Sequence, residues 1–157
     1  IGIEITNPGH EFGYKKFSKK QISSLLKLSK FLIKKYKICS KNILGHSDIA
    51  PERKKDPGEK FPWKYLSKNK IGLWHTLNKQ ELIKNRKLKI NQIEKEFFLN
   101  NLFKIGYPKK TPINVNKNKY LRDVTIAFQR RFRQELVNGK IDQECLFISE
   151  NLLKRFN

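Results

Sequence analysis

Residues 45–63 read GHSDIAPERKKDPGEKFPW. One His and two Asp stand there among Gly, Pro and cations, in a chain otherwise dominated by Lys, Ile, Asn and Leu. Gly and Pro fix the path of such a loop, because Gly reaches backbone angles closed to other residues and Pro sets its own φ. Zinc takes imidazole nitrogen and carboxylate oxygen, and catalytic zinc sites keep three protein ligands and one open position. His46 and Asp56, ten residues apart, are two donors of that kind. Pro57-Gly58 would turn the carboxylate back toward the imidazole. Spacing leaves three readings open: a metal, a catalytic network, or a well-made turn.

Upstream, IGIEI alternates with the period of a strand, Ile1, Ile3 and Ile5 on one face and Gly2 and Glu4 on the other. A sheet presents a carboxylate to a cleft in this way. NPGHEFGY, residues 7–14, follows as a loop rich in turn residues. Ser18 with Gln21 three positions on is the reciprocal pattern that starts a helix. Ile22, Leu25, Leu26, Leu32, Ile33 and Tyr36 then recur at helical spacing, which predicts an amphipathic helix over 19–36 packed on the sheet. The apolar run Ile71 to Trp74 closes a first unit, residues 1–75.

Residues 76–89 are polar with little periodicity and read as a linker or peripheral helix. Beyond them three helices are expected, making residues 90–157 a small domain with an aromatic core. Ile90, Ile93, Phe97, Asn101, Leu102 and Ile105 line the first, stopped by Gly106 and Pro108. Leu121 to Phe132 forms the second, with Val124, Ala127, Phe128 and Phe132 inward. Asp142 caps the third, whose apolar side runs from Cys145 to Phe156. The expected fold class is therefore α+β, a mixed β-sheet flanked by helices and followed by a three-helix domain.

Charge and cysteine usage narrow the partners. The formal net charge is +21, from 35 Lys and Arg against 14 Asp and Glu. Lys outnumbers Arg and is scattered with Asn and Ile along the whole length, the pattern of solvated faces, so no nucleic-acid partner is expected. An anionic cell-wall polymer or membrane surface suits the same charge. No run of eighteen apolar residues occurs, so no transmembrane helix is expected. Cys39 and Cys145 lack any metal-ligand spacing and read as free thiols. The chain opens on Ile1 inside an alternation and contains no Met, as an internal position of a longer polypeptide would.

Taken as whole strings, GHSDIAPERKKDPGEKFPW and IGIEITNPGHEFGY resemble the zinc loop and the Glu-bearing strand and loop of the type 2 N-acetylmuramoyl-L-alanine amidases, the AmpD/AmiD family. Residues 124–144, VTIAFQRRFRQELVNGKIDQE, resemble the small three-helix peptidoglycan-binding domain that follows the amidase in AmiD-type members. The resemblance implies a zinc hydrolase of bacterial cell-wall material. It makes His46 and Asp56 zinc ligands, Glu4 the general base for the attacking water, and Lys54 the cation that stabilises the oxyanion. The substrate would be peptidoglycan or a muropeptide, cut between N-acetylmuramic acid, ordinary or 1,6-anhydro, and L-Ala of the stem peptide. Asn7, His10 and Arg53 are candidate substrate contacts. Arg53 could equally be held by Asp48, a residue expected to cap the loop rather than bind metal. His75 is expected at the surface. The family's first zinc ligand, a His, falls upstream of residue 1, so a missing N-terminal segment is expected to supply it, possibly as a separate chain. A non-catalytic peptidoglycan-recognition protein and a basic nucleic-acid-binding protein are the rival readings. The wall-binding domain points to the periplasm or cell envelope of a bacterium, with the cytoplasm as the alternative.

Overall fold

A computed structural model describes residues 1–156. Helix α1, Lys19–Tyr36, forms as the sequence predicts. Ser18 Oγ accepts from the Gln21 amide at 3.2 Å, and Gln21 Oε1 accepts from the Ser18 amide at 2.9 Å. These bonds pair donors that a helix start otherwise leaves unmet. The helix stops at Lys37, which takes a left-handed φ of 51°. The inner face of α1 packs Ile22 and Leu25 against Phe61, Trp63, Leu66 and Ile71, a first hydrophobic cluster. Two short helices belong to this unit, α2 (His46–Ile49) and α3 (Trp63–Lys68).

A second cluster is built by α4 (Lys79–Arg86), α5 (Gln92–Lys104), α6 (Lys117–Phe132) and α7 (Gln143–Phe156). Phe98, Leu102, Val124, Ala127, Phe128, Cys145 and Ile148 are entirely buried there. Burying each of the larger side chains is worth about 1.5–3 kcal/mol. Asp142 Oδ1 caps α7 by accepting from the Cys145 amide at 3.0 Å. Both cysteines are free thiols, Cys39 exposed and Cys145 buried. Burial pushes the Cys145 thiol up to about 12.

The two clusters touch. Trp74 packs on both, and α2 and α3 lie against α6. Gln134 Nε2 donates to the Phe61 carbonyl at 2.6 Å, and Asn151 Oδ1 accepts from the Thr76 amide at 3.0 Å.

The expected mixed sheet is absent: the described residues contain helices and turns but no strand. Residues 1–6 have no ladder partner, and Ile1 remains 81% exposed. Alternation marks a segment that can pair; it does not provide the neighbour whose amides and carbonyls a strand requires. The register of α5 also differs. Ile93 and Phe97 face solvent while Phe98 is wholly buried. Phe97 and Phe98 stand four and three residues before Asn101, so helical periodicity accommodates either. Packing on α7 decides, with Asn101 Nδ2 donating to Ser149 Oγ at 3.1 Å. Residues 79–86 form α4, joined to α7 by a two-pronged contact from Arg86 Nε and Nη2 to Glu144 at 2.6 and 2.9 Å.

Candidate active site

The loop at 45–63 folds back on itself. Gly45 approaches so closely that a Cβ there would meet Pro57 Cδ at 2.7 Å. The single turn of α2 follows, and its Ser47 amide donates to the Asp56 carbonyl at 2.9 Å. That bond closes the loop and sets the His46 and Asp56 side chains side by side, Nδ1 to Oδ2 at 2.9 Å. The pair is accessible, His46 46% and Asp56 60% exposed at the side chain.

A cavity of about 450 Å³ opens beside this pair, and Glu4, His46 and Asp56 all line it. Ile3, Ile5, Leu25, Leu32 and Ile33 supply much of its apolar wall. Two carboxylates and an imidazole thus face one space, although they come from residues 4, 56 and 46.

The other candidates lie outside that lining. Lys54 is half-buried on the same loop, its amide donating to the Ala50 carbonyl at 2.9 Å. Asn7 shapes its own turn, accepting from the Gly9 amide at 3.1 Å and donating to the Lys15 carbonyl at 2.9 Å. Arg53 is exposed and lies 3.5 Å from Glu52. His10 Nε2 sits 3.0 Å from Glu59 Oε2, and its ring stacks on Tyr14 with centroids 4.4 Å apart. Tyr14 Oη donates to the Pro57 carbonyl at 2.6 Å. Burial, above all, pushes that phenol up to about 12. Gly58 permits the packing: its φ is 81°, and a Cβ would come within 2.5 Å of Tyr14 Oη. Residues 7–14 are thereby clasped onto residues 57–60.

Two expectations are revised by these contacts. Asp48 caps the loop, accepting from the Gly45 amide at 2.8 Å, but Arg131 of α6 holds it rather than Arg53. His75 is half-buried, not a surface residue, and its Nδ1 is buried without a partner. Burial, then the nearby Lys64 charge, pushes its imidazole down to about 4.

Sequence reasoning missed Arg131 and Tyr107. Tyr107 Oη donates to Asp48 Oδ1 at 2.8 Å, and burial with the adjoining carboxylate drives that phenol well above its ordinary range. The signal for Arg131 was its place in the stripe Val124, Ala127, Phe128, Arg131, Phe132, where helical spacing predicts an inward side chain.

The donor set partly suits zinc. Two ligands about 2.1 Å from a tetrahedral ion stand about 3.4 Å apart, so a metal could replace the His46–Asp56 hydrogen bond with a small outward movement. Among the described residues, no cluster of three His, Cys, Asp or Glu is placed to complete such a site.

Residues 1–59 match the family model described as N-acetylmuramoyl-L-alanine amidase. The N-acetylmuramoyl-L-alanine amidase AmiD of Escherichia coli is 34% identical over 161 residues, covering 99% of this chain and 57% of AmiD. The solved complex of AmiD with the substrate anhydro-N-acetylmuramic acid-L-Ala-D-gamma-Glu-L-Lys superposes with a TM-score of 0.77 at 33% identity, over 91% of this chain and 55% of that one. AmpDh3 from Pseudomonas aeruginosa gives a TM-score of 0.73 at 31% identity, over 92% and 56%. The chain spans little more than half the length of these relatives.

Proposed function

We propose, from the match of residues 1–59 to the N-acetylmuramoyl-L-alanine amidase family model, that the protein hydrolyses the amide between N-acetylmuramic acid and L-Ala of the stem peptide. The observation that carries this reading is one cavity lined by Glu4, His46 and Asp56 together. Both ordinary and 1,6-anhydro muramic forms fall within it; the relative AmiD is solved with an anhydro substrate.

His46 and Asp56 hold zinc in this proposal, an imidazole nitrogen and a carboxylate oxygen. When bound, the ion polarises the scissile carbonyl and makes water a better nucleophile near neutral pH. Glu4 takes the proton from the attacking water and returns it to the leaving amine of L-Ala, work for which a carboxylate facing the cavity is suited. Lys54, on the loop two residues before Asp56, offsets the negative charge that develops on the carbonyl oxygen. Asn7, His10 and Arg53, which lie outside the cavity lining, are the candidate contacts for substrate groups that extend beyond it. A third donor, a His in the family's pattern, has no counterpart placed beside His46 and Asp56 among the described residues.

Residues 90–157 serve as a peptidoglycan-binding unit in this scheme, with residues 76–89 joining it to the catalytic unit, residues 1–75. Such a unit suits the periplasm or cell envelope of a bacterium, where intact wall is met; cytoplasmic recycling of muropeptides is the other setting. The rival reading is a protein that binds peptidoglycan without cutting it.

The test is Glu4→Ala in the full-length protein, with muropeptide products read by mass spectrometry and zinc content measured beside them. Stem-peptide release should fall by about 100-fold or more, as loss of a general base does, while zinc content stays unchanged. Undiminished release from Glu4→Ala would remove that residue from the mechanism, and no release by either protein supports the binding-only rival.

A further inference from the structure

Asp48 follows His46 by two residues and is buried, with the side chain 5% exposed. Its carboxylate is bonded from three directions. The Gly45 amide donates to Oδ2 at 2.8 Å, Tyr107 Oη donates to Oδ1 at 2.8 Å, and Arg131 Nη1 pairs with Oδ2. The Gly45 bond is local to the turn. Arg131 and Tyr107 reach it from the helical unit, 83 and 59 residues away in the chain.

Arg131 does more than neutralise Asp48. Its Nη2 donates to the Ile43 carbonyl at 2.9 Å, on the other side of the turn. The guanidinium plane lies over the Trp63 ring at 4.3 Å and its side chain is 4% exposed, so its own position is fixed by packing. One planar fork therefore grips the backbone before the turn and the carboxylate after it. Only Leu44, Gly45, His46 and Ser47 lie between the two grips. From Ser47 the restraint continues to the Asp56 carbonyl through the 2.9 Å amide bond. A lysine at 131, with a point charge in place of the fork, would satisfy one grip and not both.

A buried ion pair of this kind adds little net stability, because desolvation offsets most of the attraction. What it can supply is a single conformation. We propose that Arg131, assisted by Tyr107, is a positioning residue for His46, so that the helical unit sets the geometry of the turn facing the cavity. This rests on the role given to His46 under Proposed function. It makes α6 part of the construction of the catalytic loop, beyond any service of the helical unit as a wall-binding module.

The test is amide hydrogen exchange on the full-length, metal-free protein, followed by zinc titration, for the wild type and for Arg131→Met, Arg131→Lys and Tyr107→Phe. Exchange at the Ser47 amide should rise about tenfold in Arg131→Met and about threefold in Tyr107→Phe, while Ile148 in α7 exchanges as before, since a local opening leaves distant helices protected. Zinc affinity should fall about 10- to 100-fold in Arg131→Met, the usual effect of losing a group that orients a ligand, and Arg131→Lys should recover part of it. Wild-type Ser47 exchange in a folded Arg131→Met overturns the proposal. If Arg131→Met does not fold, wild-type Ser47 exchange in Tyr107→Phe overturns it instead. A wild-type protein that takes up no zinc contradicts the metal reading of His46, whereas the exchange comparison still decides whether Arg131 orders the turn.

Discussion

The two hydrophobic clusters draw on the same residue types and are closed to different degrees. Around Phe98 and Phe128 four helices pack, with Phe128 meeting Phe98 edge-on at 5.2 Å and Phe132 at a tilt at 5.3 Å. Around Ile22 and Leu25 one long helix and two short ones leave a cavity of about 450 Å³, walled by Ile3, Ile5, Leu32 and Ile33. At the second, Glu4, His46 and Asp56 face one space. Arg131 of α6 links the two through Asp48.

Substitutions can break or sharpen that contrast. Phe128→Ala should cost about 3–5 kcal/mol in urea denaturation, because its neighbours cannot collapse into the space left. Next in size is a pH effect at the seam between the clusters, where His75 sits. Its folded pKa is about 4, pushed down by burial and then by Lys64, against 6.5 ordinarily. As pH falls from about 6.5 to about 4 the unfolded chain takes up this proton before the folded one, so stability is lost across that window, by up to about 3 kcal/mol. His75→Gln should flatten the acid limb of a stability-versus-pH curve; an unchanged limb would mean that His75 titrates normally. Leu25→Ala should cost about 2 kcal/mol, the lower end for such a change, because its site already borders open space. A Leu25→Ala cost equal to that of Phe128→Ala would show that the cavity is filled in the protein tested.

Much of this was legible in the sequence where the signal is local. The capping pair Ser18 and Gln21 and the apolar stripe fixed both ends of α1, and Asp142 marked the start of α7. What needed distant partners was misread. Residues 1–5 alternate like a strand, but pairing depends on a neighbour that the described residues do not contain. Phe97 and Phe98 share the same downstream stripe, so only contact with α7 chose between them. For the site, the chemistry-bearing types at 4, 46, 54 and 56 stood out as residues, whereas their supports did not. Arg131 looked like one more cation in QRRFR, and nothing near Tyr107 announced a carboxylate 59 residues away. His75 was misplaced for the same reason, its burial being set by packing across the seam.

In the proposed function, the open cavity beside His46 and Asp56 houses zinc-dependent cleavage of the muramoyl–L-Ala amide. Mass spectrometry of anhydromuropeptides incubated with the full-length protein, with and without chelator, tests it directly. Free stem peptide should appear, disappear when metal is removed, and return when zinc is restored. Release that persists undiminished in excess chelator, or intact muropeptide after incubation with the zinc-loaded protein, would contradict it.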